Sequence, residues 1–161
     1  MRVLLRALKI TAFVFALLLL AAQFVRPART NPPEAPGRAL EHHVAVPREV
    51  SEILTRSCAD CHSNRTAWPW YSHVAPASWF VIDHVNHGRR HLNFSRWGEY
   101  GRRDRLELLD GICVTTKGGS MPLASYTLIH RGARLSHRDW QTLCAWASEE
   151  QDRLVRLDSK K

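Results

Sequence analysis

Cys58-Ala59-Asp60-Cys61-His62 is the segment of this 161-residue chain with the most chemistry in it. Two thiols three residues apart share one face of a helical turn, and an imidazole adjoins the second. Both sulfurs can then reach the two vinyl groups of one porphyrin while the imidazole comes up beneath its iron. The spacing predicts one covalently bound haem c, with thioethers at Cys58 and Cys61 and His62 as the proximal iron ligand. Two other chemistries use paired cysteines. A structural zinc site wants a second cysteine pair, whereas Cys113 and Cys144 stand thirty-one positions apart. A thiol–disulfide redox pair wants a strand before the motif, and the residues before this one have helical periodicity.

A carrier of electrons keeps both axial positions of its iron filled, commonly with Met opposite His. The chain has two methionines, and one of them is Met1. Met121 follows Gly118, Gly119 and Ser120 and precedes Pro122, on an irregular loop able to bring a thioether over the distal face. It resembles the Met-Pro of class I cytochromes c. Met121 is the expected distal ligand, with His130 and His91 the alternatives that would make a bis-histidine site of lower potential. A methionine that only fills an apolar gap is the competing reading. Trp68, Trp70 and Tyr71 follow the motif closely enough to wall a porphyrin edge, although ordinary core packing explains them equally well. His84, His87 and His91 share a helical face, which reads as a solvated stripe or as a separate metal site.

The elements that must position these groups are helical. From Pro47, the residues Val50, Ile53, Leu54, Ser57, Cys58 and Cys61 recur at three- and four-residue steps. Ser78 is placed to cap a second helix reaching about His91, with Trp79, Ile82 and Val85 inward and Gly88 as a weak point. A third covers Asp104 to Thr116 and stops at Gly118-Gly119. Ser136 and Asp139 form a capping box ahead of Trp140, Leu143, Cys144, Trp146 and Ala147. No alternating strand pattern competes, so the expected fold is all-α: a small cytochrome c-like helical domain around one haem. Cys113 and Cys144 face inward on two of these helices. In an oxidising compartment they would pair as a disulfide, stabilising by about 3 to 4 kcal/mol in the chain-entropy model.

The stretch Cys61-His-Ser-Asn-Arg-Thr-Ala-Trp-Pro-Trp-Tyr-Ser72, then Ala75-Pro-Ala-Ser-Trp79 and Gly88-Arg-Arg-His-Leu-Asn-Phe-Ser-Arg-Trp97, carries a family resemblance. Gly119-Ser-Met-Pro-Leu123, Tyr126 and His130 continue it. Over about Arg26 to Trp146 the chain resembles the bacterial haem-binding domain family whose members carry a single C-x-x-C-H. The resemblance implies a membrane-tethered, single-haem protein of the cell envelope and leaves its physiological role open.

Arg2, Arg6 and Lys9 precede an apolar run from Ile10 to Val25, the layout of an export signal. Leu20-Ala21-Ala22 is a poor cleavage site, since a bulky Leu stands where a small residue is wanted. The expectation is an uncleaved single-span anchor over residues 1–25, N-terminus inside, in a bacterial inner membrane with the haem domain in the periplasm. The alternative is a soluble periplasmic protein after cleavage. Residues 26–46, with Pro27, Pro32, Pro33 and Pro36, read as a semi-rigid linker, and 47–157 as the haem-binding domain.

The net charge is +8 and the pI near 9.9. The excess is scattered arginine with no stripe, which argues against nucleic acid and for an acidic redox protein partner or an anionic lipid surface. Single-electron transfer needs no substrate pocket and is the expected function. A haem peroxidase-like enzyme, or a redox or gas sensor, would require an open distal position, against which Met121 argues.

Overall fold

The computed structural model describes residues 1–158. Seven α-helices are joined by short 3₁₀ turns, and no strand occurs among the described residues. The helices are α1 (Arg2–Ala22), α2 (Arg48–Ser57), α3 (Ala59–His62), α4 (Ala77–His91), α5 (Arg102–Lys117), α6 (Ala124–Ile129) and α7 (His137–Asp158).

Helix α1 is long and apolar enough to cross a membrane and buries none of its residues against the rest of the chain. The remaining helices close around one core. Leu109 and Ile112 of α5 meet Leu143, Trp146, Ala147 and Leu154 of α7, and Val50, Ile53 and Leu54 of α2 pack on the same cluster with Phe94 and Trp97. Burial of these large side chains, at about 1.5 to 3 kcal/mol each, is the main term holding the helices together. Helices α5 and α7 share the most extensive contact, and Cys113 and Cys144 are joined across it with Cα atoms 4.6 Å apart.

The helix ends follow local chemistry, with two differences from expectation. The Ser136 Oγ accepts from the Asp139 N–H at 3.2 Å and the Asp139 carboxylate accepts from the Ser136 N–H at 2.7 Å, the reciprocal pair of a capping box opening α7. At α4, however, the helix already runs from Ala77 after Pro76, so Ser78 lies buried inside the first turn and caps nothing. With Pro76 at the N-cap, the helix opens two residues before a Ser78 cap would allow. The first domain helix is also not continuous: it breaks at Cys58 (φ −128°, ψ −39°) and resumes as α3.

Residues 26–46 do not behave as the free spacer their proline content suggests. Ala39, Leu40 and Val44 are buried, and the Trp146 Nε1–H donates to the Ala45 carbonyl at 2.9 Å. Upstream, Arg29 donates to the Ser72 carbonyl at 2.8 Å and Asn31 to the Thr66 carbonyl at 3.0 Å. A proline-rich strand without partners of its own leaves its carbonyls and side chains available to the domain, and the domain uses them.

Candidate functional site

The break at Cys58 turns α3 so that Cys58, Cys61 and His62 line one cavity of about 670 Å³, well inside the range of small-molecule and cofactor sites. The opposite wall comes from α5 and the loop after it. Helix α5 ends at Lys117, and Gly119 takes φ +72°, the left-handed conformation that suits glycine. The chain then folds back, with the Ser120 and Met121 N–H groups both donating to the Thr115 carbonyl at 3.0 and 3.2 Å. That turn delivers Met121 and Pro122 into the same cavity. Leu54, Phe94, Leu108 and Ile112 supply apolar wall, and His84, His87, His91 and Glu107 supply polar groups.

His62 is held in one state. Its Nδ1 lies 3.0 Å from the Leu92 carbonyl oxygen, which can only accept, so Nδ1 carries the proton and Nε2 keeps its lone pair. Burial holds the imidazole below the usual histidine range, outweighing the Leu92 and Gly88 carbonyls that favour its charged form. A neutral ring fixed through Nδ1 is the form in which histidine ligates a metal.

The two thiols are unpaired and half-buried. Burial, then the proximity of Cys61, pushes Cys58 up to about 12. Burial, then the Asp60 carboxylate, pushes Cys61 up to about 11. A redox C-x-x-C pair runs on a depressed thiol pKa, and here both are shifted the other way.

Two features of this site carry little sequence signal. Gly88 sits where α4 crosses the motif, and a Cβ there would lie 2.6 Å from the Cys61 carbonyl oxygen. What reads in sequence as a weak point of a helix is the position that admits its closest approach. Asp60, between the cysteines, accepts from the Ala67 N–H at 2.9 Å and from the Tyr126 hydroxyl at 2.7 Å, fixing the loop that follows the motif. Arg89 closes that loop: its guanidinium donates to the Ser63 carbonyl at 2.7 Å, the Thr30 carbonyl at 2.6 Å, and Asn31 Oδ1 and Thr66 Oγ1 at 2.8 Å each.

The other expected residues fall in two places. His91 lines the cavity with Met121, its Nε2 3.1 Å from that of His87. His84, His87 and His91 do share a face, yet no group of three or more metal-binding side chains forms among the described residues. His130 lies outside this cavity, stacked on Tyr126 with its Nε2 2.6 Å from the Tyr71 hydroxyl. Trp68, Trp70 and Tyr71 do not line it either. The Trp68 indole donates to Asn31 at 3.2 Å, Trp70 is 78% exposed, and Tyr71 faces a second cavity.

An all-helical domain that gathers two thiols, a neutral histidine and a methionine around one apolar cavity is built to hold a prosthetic group. The family model of the haem-binding domain matches residues 17–149, and the chain belongs to that family. No curated protein and no solved structure matches it.

Proposed function

We propose that this chain carries one haem c in the cavity between α3, α4 and α5, bound through thioethers to Cys58 and Cys61, and that it transfers single electrons at the bacterial cell envelope. The observation that carries the reading is that both thiols, the Nε2 side of His62 and Met121 converge on one apolar cavity of about 670 Å³. The residues fit the group. The thiols stand free, the imidazole is neutral and oriented, and Gly111 on the α5 wall leaves open space where a Cβ would project.

When bound, the haem supplies the one-electron chemistry of its iron. The protein's own residues do the rest. His62 offers Nε2 as the proximal ligand, and the Leu92 carbonyl on Nδ1 fixes the ring and raises its donor strength. Met121, on the turn set by Gly119, would offer its thioether as a second ligand. Leu54, Phe94, Leu108 and Ile112 would keep water from the group, an apolar surrounding that favours the less charged oxidation state. Helix α1 holds the domain to the membrane as a single span with the domain on the periplasmic side, consistent with haem attachment after export.

The test is an absorption spectrum of the protein matured in a periplasm, oxidised and reduced, with Met121→Ala beside it. The expected result is haem that stays with the chain through denaturation and is lost in Cys58→Ala/Cys61→Ala. The weak long-wavelength band of methionine–iron ligation should be present in the oxidised wild type and absent in Met121→Ala. A high-spin spectrum unchanged by Met121→Ala would mean an open distal face and would move the reading to a peroxidase-like enzyme or a sensor. A low-spin spectrum lost in His91→Ala instead would assign that histidine as the sixth ligand.

A further inference from the structure

A second cavity, of about 520 Å³, lies beyond Cys61, His84, Leu123 and Tyr126, which it shares with the first. Its walls are largely apolar, formed by Pro69, Pro76, Phe80, Val81, Val85 and Ile129. Four of its polar side chains form two pairs, Tyr71 with His130 at 2.6 Å and Tyr126 with Asp60 at 2.7 Å, while the His84 Nδ1 lies 2.7 Å from the Phe80 carbonyl. Burial raises both phenols above the usual tyrosine value, with Asp60 adding to the effect, so each keeps its proton and can donate.

Large apolar side chains at this cavity are left in the open. Phe80 and Ile129 line it and are 53% and 60% exposed, and Trp70, Val74 and Leu128, close in sequence to lining residues, are 78%, 46% and 70% exposed. A cluster of this kind on a small domain marks a binding or membrane-contact surface. Its position favours the membrane. Gln23, one residue past the end of α1, makes a reciprocal amide pair with Ala75, Nε2 to carbonyl and backbone N–H to Oε1, both at 3.0 Å. The Trp79 indole donates to the Val25 carbonyl at 2.7 Å. The end of the apolar helix is thereby fastened beside Pro76 and Phe80, at the cavity's own wall.

We propose that this second cavity binds a lipid-soluble quinone entering from the bilayer surface where α1 ends. The proposal deepens the electron-transfer reading by naming a partner class, and it rests on α1 being a membrane anchor. A quinone head is flat and apolar with carbonyls at its ends, and its tail requires a route to lipid. The apolar slot takes the ring, and the rim of Phe80, Ile129 and Trp70 takes the tail. In the tautomer that carries its proton on Nε2, His130 donates to the phenol oxygen and leaves the Tyr71 O–H to donate to a quinone carbonyl. A lipid acyl chain has no carbonyl at that depth and no use for this donor.

The experiment uses the full haem-loaded chain in lipid nanodiscs with a photoreactive azidoquinone, and maps the labelled peptides by mass spectrometry. Labelling is expected on the peptides carrying Phe80–Val85 and Ile129–His130, saturable, and displaced by decylubiquinone but not by added phospholipid. His130→Leu and Ile129→Trp should each reduce it roughly tenfold. Ile129 is exposed, so its substitution at the mouth tests the site even if His130→Leu unfolds, and circular dichroism checks both. Equal displacement by phospholipid, labelling elsewhere, or labelling unchanged in a folded Ile129→Trp would overturn the proposal. Alkaline carbonate extraction reads the anchor separately: release of the chain from membranes would reject the anchor, while labelling repeated in detergent still decides the cavity.

Discussion

The candidate site residues of Cys58–His62 were legible as a group because two thiols and an imidazole in five positions leave few alternatives, and all three line one cavity. Their supports were not. The Leu92 acceptor of His62 is a backbone carbonyl thirty residues away, and any residue type would present the same oxygen. The expectation that Trp68, Trp70 and Tyr71 wall the haem came from their nearness in sequence, but none of them lines the cavity of Cys58 and His62: Trp68 bonds Asn31, Trp70 is exposed and Tyr71 lines the second cavity. Asp60 shows how much rests on one unremarked side chain. Tyr126→Phe removes the hydroxyl from a half-buried carboxylate and should destabilise the protein by about 1 to 3 kcal/mol, read by urea unfolding, with the haem spectrum retained. No loss of stability would mean that water replaces the phenol without cost.

The longer domain helices α2, α4, α5 and α7 were recovered because the apolar periodicity of each buried face survives in the sequence, whereas the short α6, which buries no residue, was missed, and the break at Cys58 and the buried Ser78 depend on packing between helices. Gly88 gives the sharpest test at this scale. In an exposed helix interior Gly→Ala stabilises by about 1 kcal/mol. Here the new Cβ would meet the Cys61 carbonyl oxygen at 2.6 Å, so Gly88→Ala should cost about 1 to 3 kcal/mol and reduce haem incorporation. Gly111→Ala, with no protein atom within 4 Å of its Cβ, should show the ordinary gain of about 1 kcal/mol in urea unfolding of the haem-free chain. The start of α7 carries a pH signature. Partial burial alone would raise the Asp139 carboxyl, but hydrogen bonds from Ser136 and the Arg56 guanidinium, 2.6 Å away, outweigh it and hold the group below its ordinary 3.8. A folded-state value below the unfolded one means stability that is present above the unfolded value and lost as pH falls through the folded one. Thermal melts from about pH 5 down to about pH 2 should therefore fall less steeply in Asp139→Asn than in the wild type.

At the scale of the whole molecule, an apolar N-terminal helix, a proline-rich stretch and a helical remainder were visible from composition, and the relation between them was not. Proline content signals a stretch without helix or sheet, and it cannot report that Arg89, Asn31 and Gln23 will stitch that stretch to the domain. Cross-links across the core are easier to anticipate. Replacing both Cys113 and Cys144 by Ser should lower stability by about 3 to 4 kcal/mol while leaving haem ligation intact, measured by denaturant unfolding of the two forms. The fastening by Arg89 has a kinetic consequence. A free chain of the length of residues 26–46 would let the domain wander by roughly 25 Å. Held by these hydrogen bonds, the domain would sample far less volume relative to α1. If α1 spans a membrane and the domain carries electrons as proposed, encounters would depend on partners diffusing in the plane of the bilayer rather than on the domain swinging between them.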